Sequence, residues 1–193
     1  MNSTNHLLSR EEQHALLGIG RQSIVDGLSS GRSLPVRSSD FPDNLKEKRA
    51  SFVTLNMHEQ LRGCIGSLQA RSPIVEDISE NAFAAAFRDS RFSPVTTDEI
   101  ENIDMHISIL TTPQPVEFTC EQDLLSKITP GVDGLILIDG LHRGTFLPAV
   151  WESLPDSKDF LDQLKLKAGL AKNYWSDQIQ VLRYQTESFG ERD

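Results

Sequence analysis

The sequence predicts an α+β fold, with an antiparallel or mixed sheet and flanking helices. Three observations predict it. Residues 50–57, 61–68, 103–109 and 134–147 carry strand-like alternation or short apolar runs bounded by turn residues. Segments with helical spacing fall before, between and after them. The order is hairpins interrupted by helices, with no regular strand–helix alternation, which argues against a doubly wound parallel sheet.

Ser9 followed by Glu12 is a capping-box signal, and Leu16, Leu17, Ile24, Val25 and Leu28 continue it as a helix ending at Gly31. Leu34 to Asn44 carries two prolines and reads as an irregular connection. Val53, Leu55 and Met57 alternate with polar residues, and a turn at His58 to Gln60 leads into Leu61–Leu68 as a hairpin. Ser72 and Pro73 read as N-cap and first turn of a helix bearing Ile74, Ile78, Phe83, Ala86 and Phe87. Ile103, Met105, Ile107 and Ile109 alternate with Asp104, His106 and Ser108, the clearest strand signal in the chain. A short helix over residues 121–128 precedes a hairpin of residues 134–139 and 143–147. Asp156 caps a helix with Phe160, Leu161, Leu164 and Ala168, which Gly169 ends, and residues 178–184 form a last strand. Phe146, Trp151, Phe160 and Trp175 read as core, and Lys165 and Lys167 as side chains snorkelling to water.

The 193 residues suffice for one domain, or a main lobe with a smaller one, that buries its own core. Residues 1–8 and 190–193 read as frayed termini. A formal charge of −9 excludes general binding to a phosphate backbone, so no nucleic-acid partner is expected. Apolar runs fall far short of the ~20 residues of a membrane span, and the N-terminus lacks a signal-peptide pattern. Cys64 and Cys120 lack a second thiol or histidine at metal-ligand spacing, so neither a disulfide nor a metal site is expected. These readings together predict a soluble, cytoplasmic protein. The absence of a phosphate loop, dinucleotide fingerprint, serine elbow or readable pair of carboxylates predicts no cofactor.

The hexapeptide Leu61-Arg62-Gly63-Cys64-Ile65-Gly66 resembles the signature of the AMMECR family. Asn81 to Phe92 (NAFAAAFRDSRF), Arg143 to Trp151 (RGTFLPAVW) and Phe160 to Leu170 (FLDQLKLKAGL) resemble the family too, and the match covers roughly residues 10 to 189. The resemblance implies a single AMMECR-type domain with two lobes around a cleft. Bacterial members resemble protein A of the AmmeMemoRadiSam system, which implies a Memo-like protein and a radical S-adenosylmethionine protein as partners. It implies no established catalytic residue. Ser90 and Ser93 stand where related sequences often have proline.

Regular alternation puts Leu61, Gly63 and Ile65 on one strand face and Arg62, Cys64 and Gly66 on the other, unless a bulge shifts the phase. A guanidinium beside a thiol is one way to build a pocket for a small anion, with Cys64 as nucleophile or acid–base group and Arg62 orienting the anion. Cys64 as a small packed residue is the competing reading. Arg88, Asp89 and Arg91 follow a helix end, where capping and local ion pairs compete with ligand binding. Arg143 and Thr145 share a strand face and join the candidate list, with Gly63 and Gly66 allowing close backbone approach. None of the histidines has a diagnostic spacing to Cys64. Two functions stay open: a small-ligand or partner-binding component, and an enzyme acting on a small anionic substrate. A third reading makes the signature a packing device.

Overall fold

The computed structural model describes residues 8–192, and its helices and two antiparallel sheets make the predicted α+β fold. The chain divides into two compact units, one formed by Met1–Leu110 with Glu187–Asp193 and the other by Thr111–Thr186.

In the first unit, α1 (Arg10–Ser30) starts at a complete capping box. The Ser9 hydroxyl accepts the Glu12 N–H and the Glu12 carboxylate accepts the Ser9 N–H, which satisfies two otherwise orphaned donors. Gly31, at φ 66°, closes the helix. The connection read as irregular carries one turn of 3-10 helix at Ser38–Asp40 and a short α2 (Asp43–Lys46). Then β1 (Ser51–Met57) and β2 (Gln60–Gly66) form the expected hairpin, and α3 (Ile74–Phe87) follows. Its N-cap position is Pro73, with no side-chain cap, so Ser72 does not serve as predicted. A 3-10 turn at Thr97–Asn102 leads into β3 (Ile103–Leu110), and the chain returns at its end to add β8 (Thr186–Gly190). The sheet order is β2-β1-β3-β8.

One face of this sheet is the core. Val53, Leu55, Met105 and Ile107 are fully buried there with Leu16, Ile24, Ile78 and Ala82 of α1 and α3. Alternation therefore turns Phe52, Thr54 and Asn56 of β1, and Asp104, His106 and Ser108 of β3, to the opposite face, where all six are half-buried. Leu8, assigned by sequence to a frayed terminus, belongs to this core at 2% exposure. Gly190 lies in β8, and the Glu191 N–H donates to the Met105 carbonyl. Residues 1–7 and 193 of the expected frayed ends lie outside the described residues.

The second unit holds β4 (Gln114–Pro115), α4 (Glu121–Lys127), β5 (Gly134–Asp139), β6 (His142–Phe146), α5 (Ser157–Lys167) and β7 (Gln180–Tyr184), with sheet order β4-β7-β5-β6. Asp156 caps α5 as predicted, accepting the N–H groups of Lys158 and Asp159. Trp151 and Phe160 stack at 3.7 Å in its core. Lys165 does not snorkel: it is completely buried, and its ammonium donates to Glu121 at 2.7 Å and to the Lys172 carbonyl at 3.0 Å. An ammonium withdrawn from water needs such a partner.

Candidate functional site

The predicted strand phase of the signature hexapeptide holds from Gly63 to Gly66 and fails for Leu61 and Arg62. Gly63 pairs with Leu55 and Ile65 with Val53 on the core face, while Cys64 pairs with Thr54 and Gly66 with Phe52 on the other. Between Leu55 and Asn56 the register slips, so that Asn56 pairs with Leu61 and Arg62 is left over. This is a β-bulge, and it re-aims the extra residue. Leu61, expected in the core, is 44% exposed. Arg62 is 8% exposed and grips Glu99 through two bonds, Nε to Oε1 at 2.8 Å and a terminal nitrogen to Oε2 at 3.0 Å. It also donates to the Ser93 carbonyl at 2.9 Å. The Arg62 guanidinium in turn holds the Glu99 carboxyl down at about 2, against the burial that pushes it up. A cation neutralised in this way has little left to offer an incoming anion.

Cys64 is half-buried on β2, the edge strand. Its backbone is clamped from outside the sheet. The Cys64 N–H donates to Asp89 Oδ2 at 2.9 Å, and the Arg91 guanidinium donates to the Cys64 carbonyl at 3.2 Å. Asp89 and Arg91 also bond each other at 2.6 Å, so a side-chain pair supplies the donor and acceptor that a further strand would. The Arg91 hydrogen bonds, with the Cys64 and Arg91 backbone N–H groups, hold the buried Asp89 carboxyl well below the usual carboxylate range despite desolvation. Because these Cys64 groups point outward, Cys64 and Thr54 form the closer, non-hydrogen-bonded type of antiparallel pair. The Thr54 hydroxyl accordingly donates to Cys64 Sγ at 3.3 Å.

Thr54 also pairs with His106 on its other side, giving a row Cys64–Thr54–His106 across three strands. Two strand spacings, roughly 10 Å, separate thiol and imidazole strands, so no direct thiol–imidazole pair forms. His106 Nε2 instead lies 3.1 Å from Asp104 Oδ2. The next positions along the same face, Asn56 and Asp104, open onto a hollow of about 410 Å³ lined with His58, Glu59, His106 and Arg192. His58 and Glu59 form the hairpin turn with φ of 52° and 63°, a conformation usually left to asparagine and glycine.

The two signature glycines are contact points. A Cβ on Gly63 would stand 2.2 Å from the Ala85 carbonyl oxygen of α3, and one on Gly66 2.2 Å from the Ser51 carbonyl oxygen. Each position therefore excludes any side chain.

The family model described as AMMECR1 matches residues 17–189. The chain belongs to the AMMECR1 family. A Methanothermobacter thermautotrophicus protein is 37% identical over 190 residues, covering 95% of this chain and 96% of its own. A Methanocaldococcus jannaschii relative is 34% identical over 193 residues, covering 96% and 92%. The crystal structure of an uncharacterised Pyrococcus horikoshii protein superimposes with a TM-score of 0.85 at 33% identity, over 96% of this chain and 94% of that one.

The remaining candidates of this AMMECR1 chain divide between the units. Arg88 is exposed, pairs with Glu80 at 3.1 Å and lies 4.8 Å over the Phe83 ring, so it takes the local role that a helix-end charge suggests. Arg143 and Thr145 lie in the second unit on β6 and share a face, as alternation predicts. Thr145 Oγ1 donates to the Leu135 carbonyl at 2.8 Å, which ties it to its own sheet, whereas Arg143 is exposed with no ion pair among the described residues. Thr54, Asp89 and Arg91 were not sequence candidates for contact with the thiol. Only strand register and the folded path after α3 bring them there. Among the described residues no helix is long and apolar enough to cross a membrane, and no group of three or more histidine, cysteine, aspartate and glutamate side chains is arranged to hold a metal ion.

Proposed function

We propose that this protein is a small-ligand or partner-binding component of a Memo-like and radical S-adenosylmethionine system, and that it binds through the sheet face carrying Cys64, Thr54 and His106 with the adjoining polar hollow. One observation carries the reading. The half-buried thiol is hydrogen-bonded to a hydroxyl, its backbone N–H and carbonyl are both held from outside the sheet, and among the described residues no base bonds it. Nucleophilic thiols work with an adjacent base or a free positive charge. Here Arg62 is spent on Glu99, and Arg91 on Asp89. The groups on the face are rigidly held polar side chains, which suit recognition.

The second reading, an enzyme acting on a small anionic substrate with Cys64 as nucleophile or acid–base group, is favoured by the row itself, since a group entering beside Thr54 would bridge thiol and imidazole. Reconstitution with the two partner proteins separates the readings. Under the binding reading Cys64→Ala retains capture of the partners and turnover of the three-protein system, while Cys64→Trp, which fills the face, loses capture with its circular dichroism unchanged. Exposed Cys120 is alkylated at neutral pH before half-buried Cys64. Loss of turnover in Cys64→Ala with capture intact, or faster alkylation of Cys64, would overturn the binding reading in favour of the enzyme.

A further inference from the structure

The second unit carries a hollow of about 430 Å³ between the segment following β4 and the approach to β7. Sequence reading placed Trp175 in a core, yet only its partner role is core-like. Trp175 packs at the edge of the apolar cluster of this unit and remains half-exposed, with the Phe118 ring at 5.7 Å and 59° to it. Both rings line the hollow, together with the apolar side chains of Val116 and Ile179. Glu117 and Asp177 line it as well, Glu117 adjoining Phe118 in the chain and Asp177 two residues after Trp175. Neither carboxylate has a side-chain hydrogen bond or ion pair among the described residues, although most acidic groups nearby do: Asp123 holds Lys127, and Glu121 holds Lys165. Among the described residues no lysine, arginine or histidine lines the hollow.

We infer that this hollow binds a small organic cation with an apolar body, such as a protonated arylalkylamine. The chemistry follows from the lining. Two aromatic rings offer a negative quadrupole face to a cation and dispersion contact to an apolar group, and two unpaired carboxylates of the same sign favour an ammonium and repel an anion. A neutral ligand would gain the ring contacts alone. The Trp175 ring already accepts one ammonium: Lys165 Nζ lies 5.5 Å from its centroid. That charge is neutralised by Glu121 at 2.7 Å, so it does not oppose a second cation. Nothing in the inference depends on the face around Cys64, which belongs to the other unit.

Intrinsic fluorescence tests it, because Trp175 lines the hollow while Trp151 is buried against Phe160. Phenethylammonium titrated into the full chain is expected to change the emission saturably at low millimolar concentration. Removing both charges in Glu117→Gln/Asp177→Asn should weaken binding about tenfold, the scale of one or two cation contacts at a partly exposed site. The uncharged analogue 2-phenylethanol should bind at least as weakly to wild type as phenethylammonium does to the double variant. High salt should weaken the amine and leave the alcohol unaffected. A Trp175→Phe variant, read by ligand-observed NMR, keeps the test open if emission proves insensitive. Equal affinity for amine and alcohol, or an unchanged affinity in the double variant, would identify an apolar crevice without charge recognition and overturn the inference. So would the absence of saturable binding in both measurements.

Discussion

Replacing Arg62 by methionine separates an arginine that holds the fold from one that waits for a ligand. The variant keeps the apolar stem of the side chain and removes the guanidinium, which leaves Glu99 without its bidentate partner and the Ser93 carbonyl without its donor. Glu99 is one-fifth exposed, and its carboxyl is held at about 2 instead of its ordinary 4.5. A depression of that size corresponds to about 3 kcal/mol of stability at neutral pH; the Arg62 bonds are its largest cause, while the Thr96 bonds to Glu99 contribute less and persist in the variant, so the guanidinium's share is about 2–3 kcal/mol. For a chain of this length the loss lowers the melting temperature by roughly 4–12 °C. The sign of the pH dependence follows from the direction of the shift. Stability from a depressed carboxyl is fully present above 4.5 and is lost as pH falls towards about 2. The gap between wild type and Arg62→Met should therefore be widest at pH 7 and narrow through that window, while the Asp89 contribution, common to both proteins, cancels. Both tryptophans lie in the second unit, so their emission does not report this transition. Far-ultraviolet circular dichroism does, since α1 and α3 dominate the helix content of the first. A variant as stable as wild type at pH 7, or a gap that does not change with pH, would refute the reasoning and return Arg62 to the ligand-binding candidates.

Gly63→Ala forces a Cβ to 2.2 Å from a helix carbonyl and should cost several kcal/mol or prevent folding, whereas Gly18→Ala, with open space around it in α1, should stabilise by ~0.5–1 kcal/mol. Urea unfolding of the matched pair checks it, and a tolerated Gly63→Ala would mean that α3 moves away from β2 at small cost. Lys165→Ala leaves a cavity and strips Glu121 of its closest cation, so the second unit should lose about 3–5 kcal/mol, read by tryptophan emission. Lys165→Met should lose less, because it refills the volume without a charge; equal losses would mean that volume is immaterial.

The elements that depend on local rules were legible in the sequence. The Ser9–Glu12 box, the alternation of Ile103 to Ile109 and the Asp156 cap are each set by residues within a few positions of one another, and each stands where it was expected. Ser72 failed because proline at the following position already fixes an extended entry, and Pro73 itself occupies the cap. Strand β8 was missed because its core contribution rests on one phenylalanine, Phe189, in a five-residue strand whose other members are small or polar. The candidate site was legible only up to strand phase. Alternation within β2 correctly set Cys64 and Gly66 apart from Gly63 and Ile65, but the bulge that withdraws Arg62 is a relation between β2 and β1. Nothing in six consecutive letters encodes it. The same holds for the surroundings of the thiol. Thr54, Asp89 and Arg91 reach Cys64 from 10, 25 and 27 positions away. A search for a base by sequence spacing ranks His106 no higher than His58 or His142, whereas antiparallel register puts it in the same row as the thiol and one strand too far to touch it. That single spacing leaves thiol and imidazole without direct contact, so a group entering the row has to supply the missing link.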